Sequence, residues 1–261
     1  MSIRTLLDHH QRQVNRKAWS DLGSFTRALE QAGQLKTVAA AISPELEITG
    51  LCHRSLVSEG PALAFSHVKG KKMPVVGNLF GHERRILMAL ELESREELRE
   101  LGRQFAFLKN PDLPDSIGKA IDSVPGFARM AHVTPVHKDG APWQENVSEG
   151  PDVDLDSLPV CTCWPGDAGP LITWGLVITR GPNKPRINLA IYRLQLIGRN
   201  KVIMRWLAHR GGAQDFREFQ RANPGKPYPV SVAIGADPAT LLAAVTPVPD
   251  TLSEYQFAGL L

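Results

Sequence analysis

Residues 171–208 read LITWGLVITRGPNKPRINLAIYRLQLIGRNKVIMRWLA. Aliphatic and β-branched runs of strand length are interrupted there by two turn signals, GPNKP at 181–185 and GRN at 198–200. This pattern predicts strands over 171–180, 186–197 and 201–208, joined as a β-meander. Downstream, 229–234 reads as a further strand. Asp237 and Pro238 supply an N-cap and first helical position for a helix through Val245, and a last helix begins at Asp250.

Upstream the texture is different. Phe25, Leu29 and Ala32 share one face of a helix predicted over 24–32, and Gly33 is its stop. Strands follow at 35–38, 62–66 and 73–77. Ser94 and Glu97 form an S-x-x-E capping box for a helix over 94–109, with Arg/Glu pairs on its exposed face. Residues 110–125 are rich in Pro, Asp and Gly and read as a linker with a helical turn at 117–122. The organisation is therefore α+β: an N-terminal arm over 1–20, a small α/β domain over 21–125, and a strand-rich domain over 126–261.

The chain has 261 residues, 43% of them hydrophobic, with 30 Lys+Arg against 27 Asp+Glu and a net charge of +3. That imbalance is too small to imply a nucleic-acid partner, so any anion site must be local. The richest apolar runs, 230–236 and 239–245, fall far short of the roughly 20 residues that span a bilayer. The basic start, MSIRTLLDHHQRQVNRK, lacks the apolar core of a secretory signal, which makes the cytoplasm the expected location and a mitochondrial presequence the weaker reading. Cys52, Cys161 and Cys163 are odd in number and lack zinc spacing, so they are expected as free thiols in a reducing compartment.

Between Arg180 and Arg210 stand Arg180, Lys184, Arg186, Arg193, Arg199, Lys201, Arg205 and Arg210, with no Asp or Glu. Such a window is a candidate phosphate site, because guanidinium forks match phosphate oxygens, or else a solvated basic face with weak nucleic-acid contact. Asn188 lies amid apolar neighbours and needs hydrogen-bond partners if buried; His209 stands at a strand end. Glu254 follows Thr251 at capping-box spacing, which gives it a structural role as an alternative to a functional one. Together the three offer an amide oxygen, an imidazole nitrogen and a carboxylate, a set suited to a hard or borderline divalent ion, although spacing does not show convergence.

Eight stretches resemble the UbiD family of decarboxylases, closest to the polyprenyl-hydroxybenzoate carboxy-lyases of ubiquinone biosynthesis. They are DLGSFTRALEQAGQL, LEITG, GPALAF, PVVGNLFG, TCWPGDAGPLITWGLVITRGP, NLAIYRLQLIGRNKVIMRWLAHRGGA, YPVSVAIGADPATLLAAVTPVPD and TLSEYQFAGLL, in that order from Asp21 to Leu261. The resemblance implies that the second domain is an incomplete split β-barrel, flavin-reductase-like, that binds prenylated FMN with Mn2+ and K+. It places the metal on Asn188, His209 and Glu254. It places the flavin against Ile191, Tyr192, Arg193, Arg205, Trp206, Leu207, Arg210 and Gly211, with Arg193 beside the substrate carboxylate.

The implied reaction is non-oxidative decarboxylation of an aromatic acid, 4-hydroxy-3-polyprenylbenzoate, by a homo-oligomer in peripheral contact with the inner membrane. The prenylated flavin serves as electron sink, while the protein positions groups and delivers protons. The family's general acid lies in an E-G-P-x-G-[DE] stretch that these residues do not contain. The chain alone is therefore expected to be inactive and, with a barrel cut mid-sheet, to associate. A non-catalytic flavin or phosphate module, or a partner subunit, is the alternative. On a regular strand Asn188 and Arg193, five apart, face opposite ways, so a shared site requires the strand to bulge, twist or end between them.

Overall fold

The computed structural model describes residues 19–109, 135–248 and 253–261. The expected linker and its helical turn, most of the expected arm, and Thr251 lie outside the described residues.

The first helix, α1 (Leu22–Gln31), starts where Asp21 accepts the Ser24 N–H at 2.6 Å, a capping box completed by the Ser24 hydroxyl. Phe25 and Leu29, one turn apart, have no exposed surface. Gly33 then takes φ +67°, a left-handed position that costs glycine least, and ends the helix. Strand β1 (Leu35–Val38) runs parallel to β2 (Ala62–Phe65) through the crossover helix α2 (Glu47–Val57), and β3 (Val75–Gly77) pairs antiparallel to β2. Side chains alternate across β2: Ala62 packs with Phe25, Leu29 and Ala89, and Leu63 packs with Ile48 and Cys52.

Helix α2 and the seven-residue α3 (Glu83–Ala89) are absent from the sequence reading. Each buries too few apolar residues to leave a legible 3.6-residue period; α2 contributes only Ile48 to the fully buried set. Helix α4 (Arg95–Lys109) matches the expected 94–109. Ser94 Oγ accepts the Glu97 N–H at 3.2 Å, as the expected box requires, and the Glu97 carboxylate accepts from the Glu93 N–H at 3.0 Å.

Arg85, 1% exposed, braces the loops of this region: Nε donates to the Leu79 carbonyl and Nη1 to the Gly60 carbonyl, both at 3.0 Å. Its Nη2 is buried without a partner. Cys52 and Cys161 share one core cluster as free thiols, and burial pushes both pKa values up to about 11.

The strands after Leu171 do not form one meander. They alternate between two three-stranded sheets: β4 (Leu171–Ile172), β7 (Arg193–Gly198) and β8 (Lys201–Arg205) in one, and β6 (Asn188–Ile191), β5 (Leu176–Thr179) and β9 (Ser231–Ala233) in the other. The chain changes sheet at Gly175 and again at Tyr192. A Cβ on Gly175 would press, at 3.0 Å, on Leu194 of one sheet and Val232 of the other, so only glycine lets the sheets approach there.

Val177, Tyr192 and Leu194 fill the space between the sheets. On the opposite face of β5 and β6, Leu176 and Leu189 pack on Leu241 and Ala244. Leu241 lies in helix α6 (Pro238–Ala243), which begins where Asp237 accepts the Thr240 N–H. Being covered on both sides explains the unbroken apolar run of β5. Helix α5 (Gly211–Ala222), also missed from sequence, packs on β5 and β6.

The terminal helix α7 (Glu254–Ala258) is capped by Ser253 with Gln256, not by the expected Thr251 and Glu254. Phe257 of α7 and Phe105 of α4 meet with ring centroids 4.5 Å apart, tying the chain's end to its N-terminal half. The fold is thus mixed α and β with small sheets and no closed barrel among the described residues. Apolar side chains, including Ile203 of β8 and Val232 of β9, stay exposed on two edge strands.

Candidate functional site

Asn188, 3% exposed, opens β6 directly opposite Thr179 of β5. Its Nδ2 donates to Thr179 Oγ1 at 3.1 Å, and the Thr179 hydroxyl donates to Asp215 Oδ2 of α5 at 3.0 Å. Lys184, in the β5–β6 turn, holds the other Asp215 oxygen at 3.0 Å and Glu218 at 3.0 Å. Burial opposes the charge on Lys184, yet these two carboxylates outweigh it and raise its pKa. The amide oxygen of Asn188 lies against Gly211: a Cβ at that position would overlap it, so the start of α5 forms a cradle around this oxygen.

Glu254 reaches the same place from the chain's end. Because Ser253 and Gln256 cap α7, the Glu254 side chain is free to accept the Leu189 N–H at 2.9 Å. Ser253 Oγ also donates to the Ile187 carbonyl at 2.7 Å, so α7 is fastened on both sides of Asn188. Burial raises the Glu254 pKa, against the lowering effects of the backbone N–H of Leu189 and of the Arg186 charge. Tyr192 Oη accepts the Gly212 N–H at 3.2 Å, and burial raises its pKa too.

Of the residues singled out from sequence, Asn188 and Tyr192 thus meet the start of α5 at Gly211 and Gly212, and Glu254 reaches the residue beside Asn188, with Arg210 and Glu254 both close enough to influence Tyr192 electrostatically. His209 sits on the exposed loop just ahead of α5, its carbonyl accepting from Gln214 Nε2 at 2.9 Å. Trp206 packs edge-on against Tyr192 and also meets Phe216. Ile191 packs in the apolar cluster under α6, and Leu207 is exposed.

Arg193 and Arg205 are direct cross-strand partners on β7 and β8, both exposed. Like charges in that relation repel, an arrangement suited to an anion held between them. Since β6 ends at Ile191 and β7 starts at Arg193 in the other sheet, the strand does end between Asn188 and Arg193.

Sequence reasoning missed Thr179, Asp215 and Tyr228, whose hydroxyl accepts the Arg180 N–H at 3.2 Å, and it read Lys184 only as part of the basic window. Asp215 had a usable signal. It stands three residues after Gly212 and four before Phe219 on an amphipathic period, which places a carboxylate on the inner face of α5.

Paired small sheets behind a parallel-crossover α/β unit are an arrangement this chain shares with a class of decarboxylating enzymes. Residues 26–105 match the family model described as the 3-octaprenyl-4-hydroxybenzoate carboxy-lyase N-terminal domain, and residues 134–261 match its Rift-related domain. Vanillic acid decarboxylase from Sedimentibacter hydroxybenzoicus, in closed form, is 29% identical with a TM-score of 0.76, over 94% of this chain and 48% of that one. The UbiD-class enzyme HmfF from Pelotomaculum thermopropionicum, in complex with FMN, is 28% identical with a TM-score of 0.73, over 92% and 48%. An evolved dimeric form of HmfF, in complex with prFMN, is 28% identical with a TM-score of 0.70, over 93% and 51%. The chain belongs to the UbiD family and spans about half the length of the solved structures it matches.

Proposed function

We propose that this chain carries the metal- and flavin-phosphate-binding half of a UbiD-type decarboxylase site, in a domain spanning 126–261 that follows an α/β domain over 21–125 and an arm over 1–20. The observation that carries the reading is that the Asn188 amide oxygen lies against Gly211 while the Glu254 carboxylate accepts the N–H of Leu189, the next residue on the same strand. The donor chemistry fits a divalent ion: an amide oxygen lying against Gly211, a carboxylate, and the His209 imidazole on the adjoining loop. Mn2+ is the ion proposed, with K+ as a second cation.

The start of α5 and the paired Arg193 and Arg205 suit a flavin phosphate and a substrate carboxylate, since helix N-termini and guanidinium groups both bind anions. Ile191, Tyr192, Trp206, Leu207, Arg210 and Gly211 would complete the flavin contacts. Prenylated FMN would supply the electron sink for loss of carbon dioxide from an aromatic carboxylic acid. The two structures of HmfF, complexed with FMN and with prFMN, support the flavin, and the vanillic acid decarboxylase supports an aromatic acid. A polyprenyl-hydroxybenzoate of ubiquinone biosynthesis is the substrate proposed, handled by a homo-oligomer in peripheral membrane contact. No helix among the described residues is long and apolar enough to cross a membrane.

The test is titration of prenylated FMN with Mn2+ and K+ into the chain and its Glu254→Ala variant, following flavin absorbance and carbon dioxide. Saturable binding that Glu254→Ala abolishes supports the half-site, and equal binding by both proteins refutes it. Binding without carbon dioxide release would make the chain a binding module on its own.

A further inference from the structure

Four polar groups run in single file from the surface to the amide oxygen of Asn188. Lys184 Nζ donates to Asp215 Oδ1, Thr179 Oγ donates to Asp215 Oδ2, and Asn188 Nδ2 donates to Thr179 Oγ1, each at 3.0 to 3.1 Å. Thr179, Asn188 and Asp215 are 2%, 3% and 1% exposed, so water does not compete for these bonds. The directions follow from donor chemistry. An ionised carboxylate only accepts, so the single Thr179 proton is committed to Asp215. What Thr179 offers Asn188 is a lone pair, and only the NH2 end of the amide can use it. The oxygen of Asn188 must then point the other way, toward Gly211.

We infer that Asp215 and Thr179, anchored by Lys184, are positioning residues that fix the orientation of the Asn188 amide and present its oxygen to the cation. This rests on the proposed role of Asn188 as a ligand. Without the relay, the amide could turn over and place its NH2 group, a donor, at the cradle, where it would repel a cation. The Asp215 charge at the far end also polarises the chain of hydrogen bonds and makes the terminal oxygen a stronger donor of electron density. Partners of this kind typically change metal affinity by about 10- to 100-fold when removed.

The relay is a property of the protein without metal, so it is read separately from metal binding. In the 15N-labelled full chain, the side-chain NH2 resonances of Asn188 are compared among wild type, Thr179→Val and Thr179→Ser. Mn2+ affinity is measured on the same proteins by electron paramagnetic resonance of the free ion. Thr179→Val is expected to shift the Asn188 NH2 resonances, speed their exchange and weaken Mn2+ binding by about 10- to 100-fold, while Thr179→Ser stays near wild type. If Thr179→Val does not fold, Thr179→Ala removes the same hydroxyl with less crowding and carries the same expectation.

Unchanged Asn188 resonances in a folded hydroxyl-free variant would overturn the relay. So would Mn2+ binding that Thr179→Val leaves intact. A wild-type chain whose Asn188 resonances respond to Thr179→Val but which takes up no Mn2+ would uphold the orienting relay and refute the proposed metal site.

Discussion

Glu254 Oε2 accepts the backbone N–H of Leu189 at 2.9 Å, joining residues 65 positions apart. This bond brings a carboxylate from the last helix to the residue beside Asn188, and it uses a backbone donor at the start of β6. A carboxylate so placed is largely desolvated, which favours its neutral form.

Burial therefore holds the Glu254 pKa above its ordinary value of 4.5. An acid with a raised folded pKa binds its proton more tightly in the folded state. Its stabilising contribution is fully present below about pH 4.5 and is lost as the pH rises through the raised value. Glu254→Gln keeps an acceptor for Leu189 but cannot ionise, so it should flatten this part of the stability curve and raise the melting temperature of the metal-free protein at neutral pH. Thermal melts across that range check this; parallel curves for the two proteins would count against it.

Gly211→Ala introduces a Cβ that overlaps the Asn188 oxygen. The relay resists movement of Asn188 on one side, so the start of α5 must shift. Overpacking of this kind costs about 1 to 3 kcal/mol. Urea unfolding should show that loss together with abolished Mn2+ uptake, whereas normal uptake would mean that the cradle does not serve the cation.

Arg85→Ala removes the donors to the Gly60 and Leu79 carbonyls and leaves a void among the loops they brace. Two part-buried acceptors left without their donor and lost packing predict destabilisation of about 2 to 4 kcal/mol, offset in part by removal of a buried charge. Arg85→Lys should not rescue it, because a single ammonium lacks the fork that reaches both carbonyls. Equal midpoints for Arg85→Lys and wild type in urea would contradict this account.

Elements with strong local signals were legible in the sequence. Helix α4 follows from its spacing and cap residue, α6 from Asp237 and Pro238, and α1 from Phe25, Leu29 and Gly33, because each depends on contacts within a few residues. Strands β5 to β8 were legible as strands but not as members of two sheets. Sheet membership depends on where Gly175 and Tyr192 redirect the chain, and no local pattern encodes the distant partner that each strand will find.

The same division holds for the candidate site. The sequence by itself determined the donor types, the basic window between Arg180 and Arg210, and the family resemblance that named Asn188, His209 and Glu254 together. Only the tertiary structure decided that Gln256, and not Glu254, closes the capping box that Ser253 opens on α7, which leaves the Glu254 carboxylate free for Leu189. It also decided that Thr179, Lys184 and Asp215 stand in line behind Asn188. The physical reason is that a buried hydrogen bond is chosen by which groups remain unpaired once sheets and helices have packed. That outcome is set by long-range contacts and not by the spacing of residues along the chain.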